Sequence, residues 1–106
     1  MLECRKVEYF FKERTISMNK TPKQLERHLK GLANHRRIEI LECIALNDGI
    51  TLERIAKNLE CNLKTISQHT RKLHRSGLIN KKYIGRSVVH SLSPYGKRFY
   101  IFIKSF

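Results

Sequence analysis

The sequence predicts a mainly α fold with a small β-hairpin, an α+β arrangement of five helices and one ribbon. Three observations predict it. Thr21, Asn34, Thr51, Asn62 and Ser93 can each cap a helix, and each precedes a stretch with apolar residues three to four apart. Residues 78–92 are rich in Ile, Val, Tyr and Ser and are divided by Gly85, a hairpin signal. Only Glu60 and Cys61 separate two of the helices, so these two must turn sharply against each other.

Composition narrows the function classes. A chain of 106 residues with 41% apolar content suffices for one domain and one modest core. The net charge is +13, and its distribution says more than its size. Glu60 is the last acid, and residues 61–106 carry Lys and Arg alone. Such a half needs an anionic partner or must tolerate its own repulsion, and phosphate is the partner it favours over an acidic membrane surface. The three cysteines, Cys4, Cys43 and Cys61, are far apart, and no Cys-x-x-Cys occurs. There is no secretory h-region and no apolar run of membrane length, which predicts a reduced, cytoplasmic protein with no membrane partner.

Along the chain, residues 1–18 mix charges with Val7, Tyr9, Phe10 and Phe11 and suit either an arm or a short helix. The first clear helix opens at Thr21-Pro22, with Gln24 completing a capping box, and Leu25, Leu29, Leu32 and Ala33 give it one apolar stripe. The second runs from about Arg36 to Leu46. Ile38, Ile40, Leu41, Ile44 and Ala45 make it apolar on more than one side, which places it at the centre of the core. Asn47-Asp48-Gly49 turns the chain. Ile50-Thr51 allows one bridge of a small sheet, and Thr51 also caps a helix from Leu52 to Leu59. After the next helix, strands over Leu78–Ile84 and Arg86–Leu92 flank Gly85. Ser93-Pro94 then starts a last helix, whose Phe99-Tyr100-Ile101-Phe102-Ile103 either completes the core or buries itself against another chain.

The stretch 62–78 carries the chemistry. Asn62 is a good N-cap and Gly77 a good C′ residue. Ile66, Thr70 and Leu73 form the inward stripe. Leu63, Lys64, Thr65, Ser67, Gln68, Arg71 and Lys72 cover the rest with donors, hydroxyls and positive charge, the groups that read base edges and phosphates. A short helix, a tight turn and a basic, hydroxyl-rich second helix spell helix-turn-helix.

With Leu32-Ala33-Asn34-His35-Arg36-Arg37-Ile38-Glu39-Ile40-Leu41, Ser67-Gln68-His69, Ser76-Gly77-Leu78-Ile79, Gly85-Arg86 and Ser91-Leu92-Ser93-Pro94-Tyr95-Gly96 in that order, the chain resembles the ArsR-type winged helix-turn-helix repressors over about residues 21–105. MarR-type regulators are similar too. The resemblance implies a dimeric, sequence-specific regulator of duplex DNA, with a repressor as the usual mode. Its recognition helix, residues 62–76, would enter the major groove through Leu63, Lys64, Thr65, Ser67 and Gln68, with His69 and Arg71 at the phosphates. The wing, residues 78–92, would reach the flanking minor groove through Arg86 and Lys82, with Lys81 beside them. The first and last helices would form the homodimer seam, through Leu25, Leu29, Phe99, Tyr100, Phe102 and Ile103. Residues 1–19 would be an arm or short helix, and residues 20–106 the DNA-binding and dimerisation domain. Thr70 stands where the family has an apolar residue, and His90 where it often has Tyr.

No cofactor and no metal are expected. The helix before the turn has no Cys, and the last helix has neither His nor carboxylate, so the metal-sensing sites of relatives lack their ligands. Cys43 and Cys61 suit small buried positions, and Cys4 an exposed thiol. The five His are scattered, and solvated or phosphate-facing roles are expected of them. Ser67 and His69 point about 200° apart on a helix, so they form no nucleophile–base pair, and no enzyme activity is predicted. Two further classes remain open: an architectural protein that coats DNA with little sequence preference, which the acid-free half would suit, and a winged-helix module docking through its aromatic tail within a larger machine.

Overall fold

The computed structural model describes residues 20–106; the arm or helix expected over residues 1–19 lies outside them. The elements are α1 (Pro22–Leu32), α2 (His35–Leu46), β1 (Ile50–Thr51), α3 (Leu52–Asn58), α4 (Leu63–Arg75), β2 (Ile79–Ile84), β3 (Ser87–Leu92) and α5 (Pro94–Lys104). Each predicted cap is in place. The Thr21 hydroxyl accepts from Gln24 N while the Gln24 side chain accepts from Thr21 N, closing the capping box. Asn34 Oδ1 accepts from Arg36 N and Arg37 N, the Thr51 hydroxyl from Arg54 N, and Ser93 Oγ from Gly96 N. Each bond satisfies an amide that the helix cannot serve itself.

The core gathers around α2. Ile40, Leu41 and Ile44 of α2, Ile55 of α3, Ile66 and Leu73 of α4, and Leu78 and Ile79 at the root of the hairpin are fully buried or nearly so. Each such side chain contributes about 1.5–3 kcal/mol by leaving water, enough together to set the packing of three helices and the hairpin. Cys43 is buried with them and Cys61 packs half-buried at their edge, as their surroundings in the sequence suggested.

The sheet has three antiparallel strands in the order β1-β3-β2. Strand β1 is two residues long, and it pairs Ile50 with His90 and Thr51 with Val89. Strands β2 and β3 pair from Ile79↔Leu92 out to Ile84↔Ser87. Gly85 has φ +61° and Arg86 keeps a negative φ, the pattern of a two-residue type II′ turn that matches strand twist.

Two of the histidines do not stand in solvent as expected. His28 is buried where α1 crosses the end of α4: its Nδ1 bonds the Ser76 carbonyl, and its ring lies tilted against Tyr95 at 5.1 Å and Phe99 at 6.2 Å, both of α5. His90 is buried inside the sheet, its Nδ1–H donating to the Ile50 carbonyl at 3.0 Å. Neither is solvated: each ring turns its Nδ1 to a backbone acceptor, while His28 Nε2 is buried without a partner among the described residues.

Candidate nucleic-acid interface

The α3–α4 turn is built from one capping geometry used twice. At the end of α3, Cys61 N donates to Ala56 O and Glu60 N to Lys57 O. At the end of α4, Leu78 N donates to Leu73 O and Gly77 N to His74 O. Both are Schellman motifs, which need a left-handed residue at C′. Gly77 supplies it with φ +79°, and Glu60 supplies it with φ +50°, the one non-glycine residue with positive φ among the described residues. The first motif sets the bend from α3 to α4. The second turns the chain from α4 into β2, with Leu73 and Leu78 packed together as its apolar lock.

Within this frame α4 buries Ile66, Thr70 and Leu73 and turns its other side outward. Lys64, Gln68, Arg71 and Lys72 are exposed, Leu63 is 47% exposed, and Thr65, Ser67 and His69 are half-buried. Asn62 Oδ1 holds Lys64 N at 2.7 Å, so the first turn is fixed. Lys82, Gly85 and Arg86 stand exposed on the hairpin, with Tyr83 and Ile84 beside them. Lys81 at the hairpin root is half-buried, and its ammonium is held below the usual lysine range by burial and by the neighbouring Arg71 guanidinium. That proximity joins the positive face of α4 to the hairpin.

His69 has a basic neighbourhood. Burial first, then Arg37, Lys72, Arg36 and His35, hold its imidazole below the ordinary value. His69 Nδ1 and Arg37 Nε, like His28 Nε2 elsewhere in the core, are buried without a hydrogen-bond partner among the described residues. Arg36 and Arg37 are not among the residues expected from the sequence to meet DNA. Two adjacent arginines in the first turn of a helix capped by Asn34 are the signal that could have added them to the candidates.

The residues expected to form a dimer seam divide. Leu25, Leu29, Phe99 and Phe102 line an open groove of about 790 Å³ between α1 and α5. Tyr100 and Ile103 pack half-buried on the core of their own chain, and Phe99 does so too from the edge of the groove. The tail thus completes the core with one side and leaves Ile101 and Phe102 open on the other, 68% and 54% exposed. Among the described residues no three His, Cys, Asp or Glu side chains are grouped as metal ligands would be, and no described helix is long and apolar enough to cross a membrane.

A basic helix presented beyond a tight turn, with a basic hairpin at its side, is the layout of a domain that docks on duplex DNA. The winged helix-turn-helix DNA-binding family matches residues 34–80. Over 65 residues the chain is 35% identical to the transcriptional activator HlyU of Vibrio cholerae, a stretch covering 61% of this chain and 59% of that protein, so less than two thirds of the relative is spanned. A solved structure of HlyU from Vibrio cholerae superposes with a TM-score of 0.72 at 30% identity, covering 81% of this chain and 94% of that one. A homodimeric winged helix-turn-helix DNA-binding domain from Mycobacterium bovis, a possible ArsR-family transcriptional regulator, shares the fold with a TM-score of 0.72 at 24% identity over 83% of this chain and 87% of that one. The chain belongs to the winged helix-turn-helix DNA-binding family, with HlyU among its relatives.

Proposed function

We propose that this chain regulates transcription as a homodimer that binds duplex DNA sequence-specifically. Helix α4 enters the major groove and the β2–β3 hairpin lies on the flanking minor groove. The observation that carries this reading is the continuity of the positive surface. Arg71 on the outer face of α4 neighbours Lys81 at the hairpin root, and the ribbon continues to Lys82 and Arg86 with no acid anywhere after Glu60. Leu63, Lys64, Thr65, Ser67 and Gln68 then meet base edges, while His69, Arg71 and Lys72 meet phosphates. Leu25, Leu29, Phe99 and Phe102 supply the seam between two copies, in keeping with the homodimeric Mycobacterium bovis neighbour. Two α4 helices would then lie roughly 34–36 Å apart on a near-palindromic site. Repression follows the usual mode of ArsR-type proteins, although HlyU is named an activator.

A gel-shift series against salt and competitor DNA tests this. Ser67→Ala and Gln68→Ala should flatten sequence preference, and Arg71→Ala should weaken all sites alike. If none of the three changes binding, α4 is not the reading element. The acid-free half favours a second reading, a low-specificity DNA-coating protein, and a specificity ratio near one against random DNA would select it.

A further inference from the structure

We infer that Arg36 and Arg37 at the start of α2 join His69 and Lys72 of α4 in holding one phosphate of the DNA backbone, beside the groove-reading face and not on it. This rests on the DNA-binding reading above.

The notch is made by two helices. Asn34 caps α2 by taking the Arg36 and Arg37 amides, which fixes where those side chains leave the backbone. His69 and Lys72 belong to α4, which packs on α2, and they lie next to Gln68 and one turn beyond it. Arg37 has no ion pair and no side-chain hydrogen bond among the described residues, and its Nε is buried without a partner. His69 Nδ1 shares that state. Buried polar nitrogens ordinarily have partners, and a planar guanidinium edge accommodates a tetrahedral oxyanion with two parallel bonds. Arg36 reaches Glu39 at 3.5 Å across a partly exposed pair, weak enough to yield to a phosphate. The groups facing His69 are His35, Arg36 and Arg37 from α2 and Lys72 from its own helix. Among the described residues Glu39, paired with Arg36, is the only acid bonded within this group. A phosphate would offset their mutual repulsion and favour the imidazolium. Contacts to the strand backbone beside a recognition helix set its roll and depth without reading sequence. The pair of arginines would therefore position α4, with Gln68 facing the bases.

The test uses the full chain and a mixed-sequence duplex of about 30 base pairs, three helical turns, followed by fluorescence anisotropy over a salt series. Arg37→Ala should flatten the plot of log affinity against log salt by about 0.9 for one lost phosphate contact. The double variant Arg36→Ala with Arg37→Ala should lose no less. Arg37→Lys should keep most of the slope, and Lys30→Ala on α1 should keep all of it. An unchanged slope in the double variant overturns the inference. A second reading uses the unaltered chain: the His69 ring, followed by NMR, should titrate at higher pH with duplex bound than without it. An unmoved titration also overturns the inference. Steep, salt-dependent binding indifferent to Arg36 and Arg37 would remove the notch alone. A chain that binds no duplex at any salt would remove the DNA-binding reading and the notch together.

Discussion

Gly31 of α1 and Ser76 at the end of α4 approach so closely that a Cβ on Gly31 would lie 2.2 Å from the Ser76 hydroxyl oxygen and 2.3 Å from the Ser76 Cβ. Helix α4 is thus braced at its C-terminal end by backbone against side chain, and His28, one turn earlier on α1, bonds the Ser76 carbonyl. Gly31→Ala should therefore destabilise the fold by about 1–3 kcal/mol, the usual cost of overpacking, because the serine Cβ cannot swing away. Urea denaturation measures it. Adding Ser76→Gly should recover part of the loss, and a loss identical in both backgrounds would show that the contact is not the cause.

Thr70 stands at a core position of α4 and is fully buried, its hydroxyl donating to Ser67 O at 3.0 Å. That carbonyl already serves the helical ladder, so removing the hydroxyl leaves nothing stranded. Thr70→Val should change stability by less than about 1 kcal/mol. Ile66→Ala, on the same stripe, should cost about 2–5 kcal/mol. Parallel thermal melts of the two variants decide the matter.

Acid should weaken the fold through its buried imidazoles. Burial is the main influence on His90, with Lys81 and His74 acting in the same direction and the Ile50 carbonyl and Glu53 opposing them, and the net effect is a lowered affinity for protons. His69 is lowered too. Below the ordinary value of 6.5 the unfolded chain then binds more protons than the folded one. Stability is therefore complete above that value and falls as pH drops through the folded-state titration. Melting temperatures between neutral and mildly acidic pH should show this decline. His90→Asn keeps an N–H for the Ile50 carbonyl without a titrating ring, and should make the curve shallower.

The groove between α1 and α5 should close on a second copy. Leu29 and Phe102 are 50% and 54% exposed, so acidic side chains there need not disturb the core. Leu29→Glu with Phe102→Glu should halve the mass seen by light scattering while leaving the melt of each protomer folded and cooperative. Affinity for a two-site duplex should drop about 100-fold or more, as expected when two linked contacts become independent. A dimeric mass in this variant would move the seam elsewhere.

Glu60 occupies a left-handed position that favours Gly or Asn. Glu60→Asn should raise stability by about 0.5–1 kcal/mol, since side chains other than Gly and Asn ordinarily pay more than that in this region. Chemical denaturation with an unchanged slope would register it.

The caps were legible because capping is local chemistry: Thr21, Asn34, Thr51, Asn62 and Ser93 all bond amides within three residues. The inward stripe of α4 was legible for the same reason, as a repeat along one helix. What escaped were partnerships across the chain. His28 and Ser76 lie 48 positions apart, and His90 and Ile50 lie 40 apart. An imidazole that looks polar in sequence becomes internal once a distant carbonyl faces it. The nearness of Arg36 and Arg37 to His69 was hidden likewise, since it exists only after α2 and α4 pack. Glu60 was hidden for another reason: the tight bend imposes a conformation that its own propensity opposes.

The pairing of Ile50 with His90 has a mechanical corollary. It laces the far strand of the ribbon to the residues just ahead of α3, while the lock of Leu73 on Leu78 fastens the near strand to the end of α4. Helix and ribbon consequently move as one rigid piece, with a fixed distance between the outer face of α4 and the tip of the hairpin. Under the proposed dimer, any adjustment to differently spaced half-sites would fall to the α1–α5 groove and not to this piece, which would make that groove the place for a signal to act.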